Sequence, residues 1–174
     1  MARPTATLPR RFRVIGAMAL AAVSVLLASC GGAPAQPRDV WPSVVVSDAN
    51  GTSTRSDTVL LPGRPAVIAV WAVWCRPCRE ELPRLDALSR ENPGVRVAAV
   101  NLGDEPAAVT DYTTSMSLQL PVFIDSDGRL TEALGVSSVP ATVFVGADGR
   151  IVDVHLGALS EADLAAGVRR LLAR

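Results

Sequence analysis

The apolar positions of this chain fall into two rhythms. Residues 66–73, Ala-Val-Ile-Ala-Val-Trp-Ala-Val, form an unbroken apolar run, the pattern of a strand covered on both faces. Beyond Arg76 the spacing changes. Leu82, Leu85 and Leu88 recur at helical intervals, with Glu80, Glu81, Arg84, Asp86 and Arg90 between them. Pro83 lies inside this helix and removes the hydrogen bond to the carbonyl of Arg79, which predicts a kink, and Asn92-Pro93-Gly94 ends it. Residues 95–100 predict a second strand, and residues 106–116 a helix with Val109, Tyr112 and Met116 on one face. Residues 120–124 read as a strand, followed by a short helix through Leu130 and Leu134 that Gly135 closes. Two apolar runs, 142–145 and 151–155, flank Ala147-Asp148-Gly149, a strong hairpin signal. Ser160 with Asp163 three residues later resembles a helix N-cap pair, ahead of Leu164, Val168, Leu171 and Leu172. Upstream of the long strand, residues 44–46 and 58–61 bracket polar Asp48-Ala49-Asn50-Gly51 and predict a hairpin with those two arms. Strands alternating with helices, then a closing hairpin and helix, point to an α/β fold with a mixed central sheet flanked by helices.

The first 42 residues follow neither rhythm. Arg10-Arg11-Phe12-Arg13 is a basic cluster, and residues 14–28 are apolar apart from Gly16 and Ser24. That run is short for a spanning helix, which needs about 20 residues, and its flanks suit an export signal. It ends in Leu27-Ala28-Ser29-Cys30, which resembles a bacterial lipobox with Cys30 as the acylated residue; an ordinary cleaved signal or a single membrane anchor is the alternative. Gly31 to Pro42 is rich in Gly, Pro and small residues and reads as a flexible tether. The expected organisation is a signal over 1–29, an acylated cysteine and tether over 30–42, and one domain over 43–174.

Charge narrows the partners. The chain has 17 basic residues, all arginine, against 17 acids; removing residues 1–29 takes away Arg3, Arg10, Arg11 and Arg13 and leaves a net −4. No basic stripe survives, which argues against nucleic acid.

The candidate chemistry lies where the long strand meets the helix, at Trp74-Cys75-Arg76-Pro77-Cys78. Cys75 falls at or just before the first helical residue, where free N–H groups and the positive helix end stabilise a thiolate. Cys78, three residues on, faces the same side. A low-pKa thiolate attacks a partner's disulfide, and a second thiol resolves the mixed disulfide. Pro77 is tolerated in a first helical turn. The competing reading is half of a metal site or a structural pair. Zinc wants about four ligands, and the chain offers only Cys30 and His155 besides.

From about Val44 onward the sequence resembles thioredoxin-like proteins of the extracytoplasmic TlpA/ResA type. The resemblance rests on Trp71 and Trp74 ahead of Cys75-Arg76-Pro77-Cys78, on Pro83 five residues past the second cysteine, and on Val139-Pro140-Ala141-Thr142 before the closing hairpin. The helix-and-strand insert between Asn101 and Gly135 is what this subgroup adds to plain thioredoxin. The resemblance implies a thioredoxin-like fold with an N-terminal hairpin and this central insert. It implies Cys75 as the attacking thiol and Cys78 as the buried, resolving one. Pro140 would follow a cis bond and bring its loop beside the sulfurs. A partner's cysteine-containing segment would lie along Trp74, Arg76, Pro77 and Val139. Glu81 stands where the subgroup has an acidic residue linked to proton handling; a solvated helix charge is the bland alternative. Ala69 replaces the buried aspartate of plain thioredoxin, so Glu81 or water must serve as base. Arg76, between the sulfurs, is expected to favour the Cys75 thiolate and make the disulfide more oxidising.

The activity so implied is a membrane-tethered thiol–disulfide oxidoreductase, enzymatic and without metal or organic cofactor. It would act on protein thiols outside the cell membrane, among them apocytochrome c, with electrons from a membrane thiol donor. A disulfide-forming oxidant is the alternative within the same chemistry. A copper-delivery module using Cys75, Cys78 and His155 is the alternative from another class, although Sco-like proteins place three residues between their cysteines. His155 otherwise reads as a structural or surface residue.

Overall fold

A computed structural model describes residues 39–173. Within them the chain runs β1 (Val45–Asp48), β2 (Ser53–Arg55), a short 3-10 turn (Ser56–Val59), β3 (Ala66–Trp71), α1 (Arg76–Glu91), β4 (Arg96–Asn101), α2 (Pro106–Ser115), β5 (Val122–Ile124), α3 (Arg129–Leu134), β6 (Ala141–Val145), β7 (Ile151–Leu156) and α4 (Glu161–Leu172). The strands form one sheet in the order β2-β1-β5-β4-β3-β6-β7. The β3/β4 and β4/β5 pairs are parallel, and the others antiparallel. This is the mixed α/β sheet that the alternating pattern predicts.

β3 is buried along its whole length because helices or chain cover both sides of it. Val67, Ala69 and Trp71 point to a core shared with Leu82 and Leu85 of α1, Val109 and Tyr112 of α2, and Val168 and Leu171 of α4. Ile68 and Val70 point the other way, into a core with Leu130 and Leu134 of α3, Val143 and Trp41. A strand with two apolar neighbourhoods has no polar face to show, hence its unbroken run.

α1 continues through Pro83 as a single helix, short of one backbone hydrogen bond. The Arg79 carbonyl, which Pro83 cannot serve, receives a long hydrogen bond of 3.5 Å from the Tyr112 hydroxyl. The Arg79 guanidinium lies 5.2 Å from the centre of the Tyr112 ring, and that ring is 5.3 Å from Trp71. The interruption in α1 is thus tied to α2 directly beneath the cysteine turn.

Two expectations need correction. The N-terminal hairpin exists, but its second arm is Ser53–Arg55, not residues 58–61. Of those four residues only Val59 is buried, and a single apolar anchor is satisfied by one tight turn. Ser56 holds that turn. Its hydroxyl donates to the Pro42 carbonyl and accepts from the Val44 N–H. Second, residues 39–42 are not free tether. Trp41 is buried and its indole N–H donates to the Ser56 carbonyl at 2.9 Å. Its backbone N–H bonds to Gly149, and Ile151 donates to the Asp39 carbonyl. Composition alone hid an indole, whose apolar bulk and single donor repay docking. The predicted signal, Cys30 and tether residues up to 38 lie outside the described residues.

Candidate active site

β3 delivers its C-terminal end to the site. After Trp71 the chain turns, with the Cys75 N–H bonded to the Ala72 carbonyl at 3.0 Å, and α1 starts at once. Cys75 is the N-cap residue, and its sulfur accepts the Cys78 backbone N–H at 3.3 Å. Arg76 and Pro77 fill the first helical positions, where a missing proline N–H leaves no helical bond broken. Cys75 and Cys78 form a disulfide with their Cα atoms 5.3 Å apart, within the range such bonds require.

The turn is braced from a side the sequence reasoning missed. Asp104, just past β4, accepts the Val73 N–H at 2.6 Å and the Asn101 side-chain amide at 2.8 Å through one oxygen, Oδ2. Asn101 in turn accepts the Asp104 N–H at 2.8 Å. Asn101 ends an apolar strand at the carboxyl edge of the sheet, the place where α/β proteins build sites. That position was the available signal.

Exposure divides the site into two halves. Trp74 is 70% exposed and Arg76 and Pro77 stand in solvent beside it. Both cysteines are buried, Cys75 at 3% and Cys78 at 1%, so in the disulfide form accessibility does not separate them as expected. Surroundings separate them instead. Cys75 caps the helix next to exposed residues. Cys78 faces a narrow cleft that it shares with Ala69, Trp71, Glu81 and Pro140. The Val139–Pro140 bond is cis, Pro140 is buried and Val139 half-buried.

Glu81 is no solvated helix charge, because only 5% of it is exposed. One carboxyl oxygen, Oε1, accepts the Thr142 hydroxyl at 3.0 Å, and the other has no hydrogen-bond partner. The Trp71 indole N–H is likewise unpartnered, and the cleft both residues line is too narrow to admit water. Burial pushes the Glu81 carboxyl above the ordinary glutamate value. The Thr142 hydroxyl, the nearby Leu159 amide and the charges of Arg84 and His155 offset this in part. Small Ala69 pairs with Thr142 across β3 and β6, so the strand leaves the space into which the helix projects Glu81.

Arg76 stands in solvent, its side chain 91% exposed and 3.8 Å from Glu80 one helical turn on. His155 is half-buried on β7, and among the described residues no three His, Cys, Asp or Glu side chains gather as metal ligands.

Two sulfurs that can join or part at a helix start, the second sharing a narrow cleft with a carboxyl that can carry a proton, equip the site to trade a disulfide with another molecule. The class is thiol–disulfide oxidoreductase, on a thioredoxin-like scaffold. Residues 36–168 match the Redoxin family, and the chain belongs to it. The chain is 31% identical over 122 residues to the thiol-disulfide oxidoreductase ResA of Bacillus subtilis, covering 69% of this chain and 67% of that protein. It is 37% identical over 111 residues to the thiol:disulfide interchange protein DsbE of Pseudomonas fluorescens, covering 63% and 60%. Among solved structures, a secreted Mycobacterium tuberculosis disulfide oxidoreductase homologous to E. coli DsbE aligns with a TM-score of 0.64 at 25% identity, over 74% of this chain and 96% of that one.

Proposed function

We propose that this oxidoreductase works as a reductant of protein disulfides on the outer side of the bacterial cell membrane, held there by lipid on Cys30. Apocytochrome c cysteines, before haem attachment, are the substrate class we favour, with a membrane thiol protein as electron donor. The observation that carries the direction is the dry carboxyl of Glu81 in the cleft of Cys78. A negative charge there opposes a thiolate on the pair, which favours the disulfide over the ionised dithiol and makes the reduced protein a better electron donor. Arg76, exposed and paired with Glu80, provides little counterweight.

The reaction balances as follows. The Cys75 thiolate attacks one sulfur of the substrate disulfide, forming a mixed disulfide and releasing the other sulfur as a thiolate. The Glu81 carboxylate takes the Cys78 proton. The Cys78 thiolate then attacks the Cys75 sulfur, forming the internal disulfide and freeing the second substrate sulfur. Two electrons pass to the substrate, and the donor later returns them. Exposed Trp74 next to Cys75 and the Val139 backbone at the cis bond are the surface we assign to an extended substrate segment.

Trapping tests this reading. Cys78→Ser, expressed with its export segment in a bacterium that makes c-type cytochromes, should accumulate mixed disulfides through Cys75 with cysteine-bearing extracytoplasmic proteins. The reduction potential, measured against glutathione, should lie well below about −200 mV. A potential near about −120 mV, the range of strong periplasmic oxidants, would reverse the direction.

A further inference from the structure

Thr142 stands directly opposite His155 in the antiparallel β6/β7 pair. Residues so paired send their side chains to the same face, with Cβ atoms about 4.5–5.5 Å apart. On that face the Thr142 hydroxyl already donates to Glu81. His155 is therefore one side chain removed from the buried carboxyl, and it is half-buried, on a strand at the edge of the sheet. We propose that His155 is the proton port of this site, passing protons between solvent and Glu81 across the Thr142 hydroxyl. This rests on the reading of Glu81 as the base for Cys78.

The neighbouring charges leave His155 alone in that role. Arg84, on α1, acts on Glu81 but an arginine does not give up its proton. From the segment before α4 only the Leu159 backbone amide faces the carboxyl. Asp153, two residues along β7, is engaged by Arg170 of α4 at 2.8 Å. On its other side Glu81 shares a narrow cleft with Trp71, Cys78 and Pro140, none of which can carry a proton out to solvent. A histidine is the side chain whose ordinary titration range suits exchange near neutral pH. During resolution the proton leaves Cys78 for the Glu81 carboxylate and moves on to the His155 imidazole. The imidazolium releases it to solvent, and Glu81 is again a base. His155 touches neither sulfur and is a positioning residue.

The experiment follows the closure of a Cys75 mixed disulfide by Cys78, using stopped-flow tryptophan fluorescence across pH 5–9, on the full chain. His155→Ala should slow closure roughly 3- to 30-fold near pH 7, part of what a positioned acid–base group supplies. Added free imidazole should restore it, and the rate of Cys75 alkylation in the reduced protein should stay unchanged. His155→Phe, which keeps a ring and cannot carry a proton, should show the same loss without benefit from imidazole. Closure rates that superimpose on the parent at every pH would overturn the proposal. So would a slowing that imidazole leaves untouched in His155→Ala. Glu81→Gln separates the two layers of the argument. If it slows closure while both His155 variants match the parent, Glu81 is the base and His155 is not its port. If it leaves closure unchanged, the base reading falls and takes the port with it.

Discussion

Replacing Thr142 by valine removes the hydrogen bond that Glu81 depends on and, with it, the hydroxyl across which His155 would exchange protons; the position of the pH midpoint reports the first, the plateau rate the second. Thr142 is fully buried in β6, and valine keeps its branched outline and strand preference while deleting one hydroxyl. That hydroxyl is the one side-chain donor on the carboxyl, at 3.0 Å. A hydrogen bond to a charged group contributes about 1.5–3 kcal/mol, and about 1.4 kcal/mol displaces a titration by one pH unit. The loss therefore moves Glu81 further upward, by on the order of one pH unit once relaxation is allowed for. Closure of the mixed disulfide needs the carboxylate, so its rate rises with pH through the Glu81 titration. The midpoint in Thr142→Val should shift to higher pH by about that amount. Stability gives an independent check with a definite sign. Glu81 is raised in the folded protein, so its contribution is complete below the ordinary glutamate value and is lost as pH rises through the raised one. Raising it further extends that loss. Urea unfolding should show Thr142→Val more destabilised at pH 8, where the bond to a carboxylate is missing, than at pH 4, where the lost bond was to a neutral acid. Coincident closure profiles, or a larger deficit at pH 4 than at pH 8, would refute the reasoning.

Other substitutions probe the frame around the pair. Trp41→Ala should destabilise the domain by about 3–5 kcal/mol, as for other buried large-to-small changes. A chain starting at Ser43 should unfold as early in urea as that variant does. Asp104→Ala strips the acceptor from the Val73 N–H and Asn101 and should cost about 2–4 kcal/mol, read from the urea midpoint. Arg76→Ala should shift the reduction potential by no more than about 20 mV, because an exposed, already paired charge has little leverage. A larger shift would return Arg76 to the influence its position between the cysteines first suggested.

The sequence was most informative where local physics has few solutions. An apolar run buried on both faces, a helical repeat interrupted by one proline, and an Asp-Gly turn between alternating strands each map to one element, and β3, α1 and the β6–β7 hairpin follow. Less was legible where the decisive contact is remote in sequence. Nothing near residue 81 shows that Thr142, 61 positions away, holds its carboxyl, or that small Ala69 opens the space beside it. Glu80 and Glu81 look alike on paper, and packing against β6 tells them apart. Asp104 lies 31 positions from Val73, and only the fold brings them together. Residues 39–42 follow a stretch rich in proline and glycine, and only the docked indole of Trp41 marks them as part of the domain.

The place where that tryptophan docks has a practical bearing. Trp41 is fastened to Gly149, at the turn joining β6 and β7, whereas Pro140 and the cysteines sit where β6 begins. Five strand residues, roughly 17 Å, separate these two poles. A pull applied at Asp39 is therefore taken up at the end of β6 opposite the sulfurs.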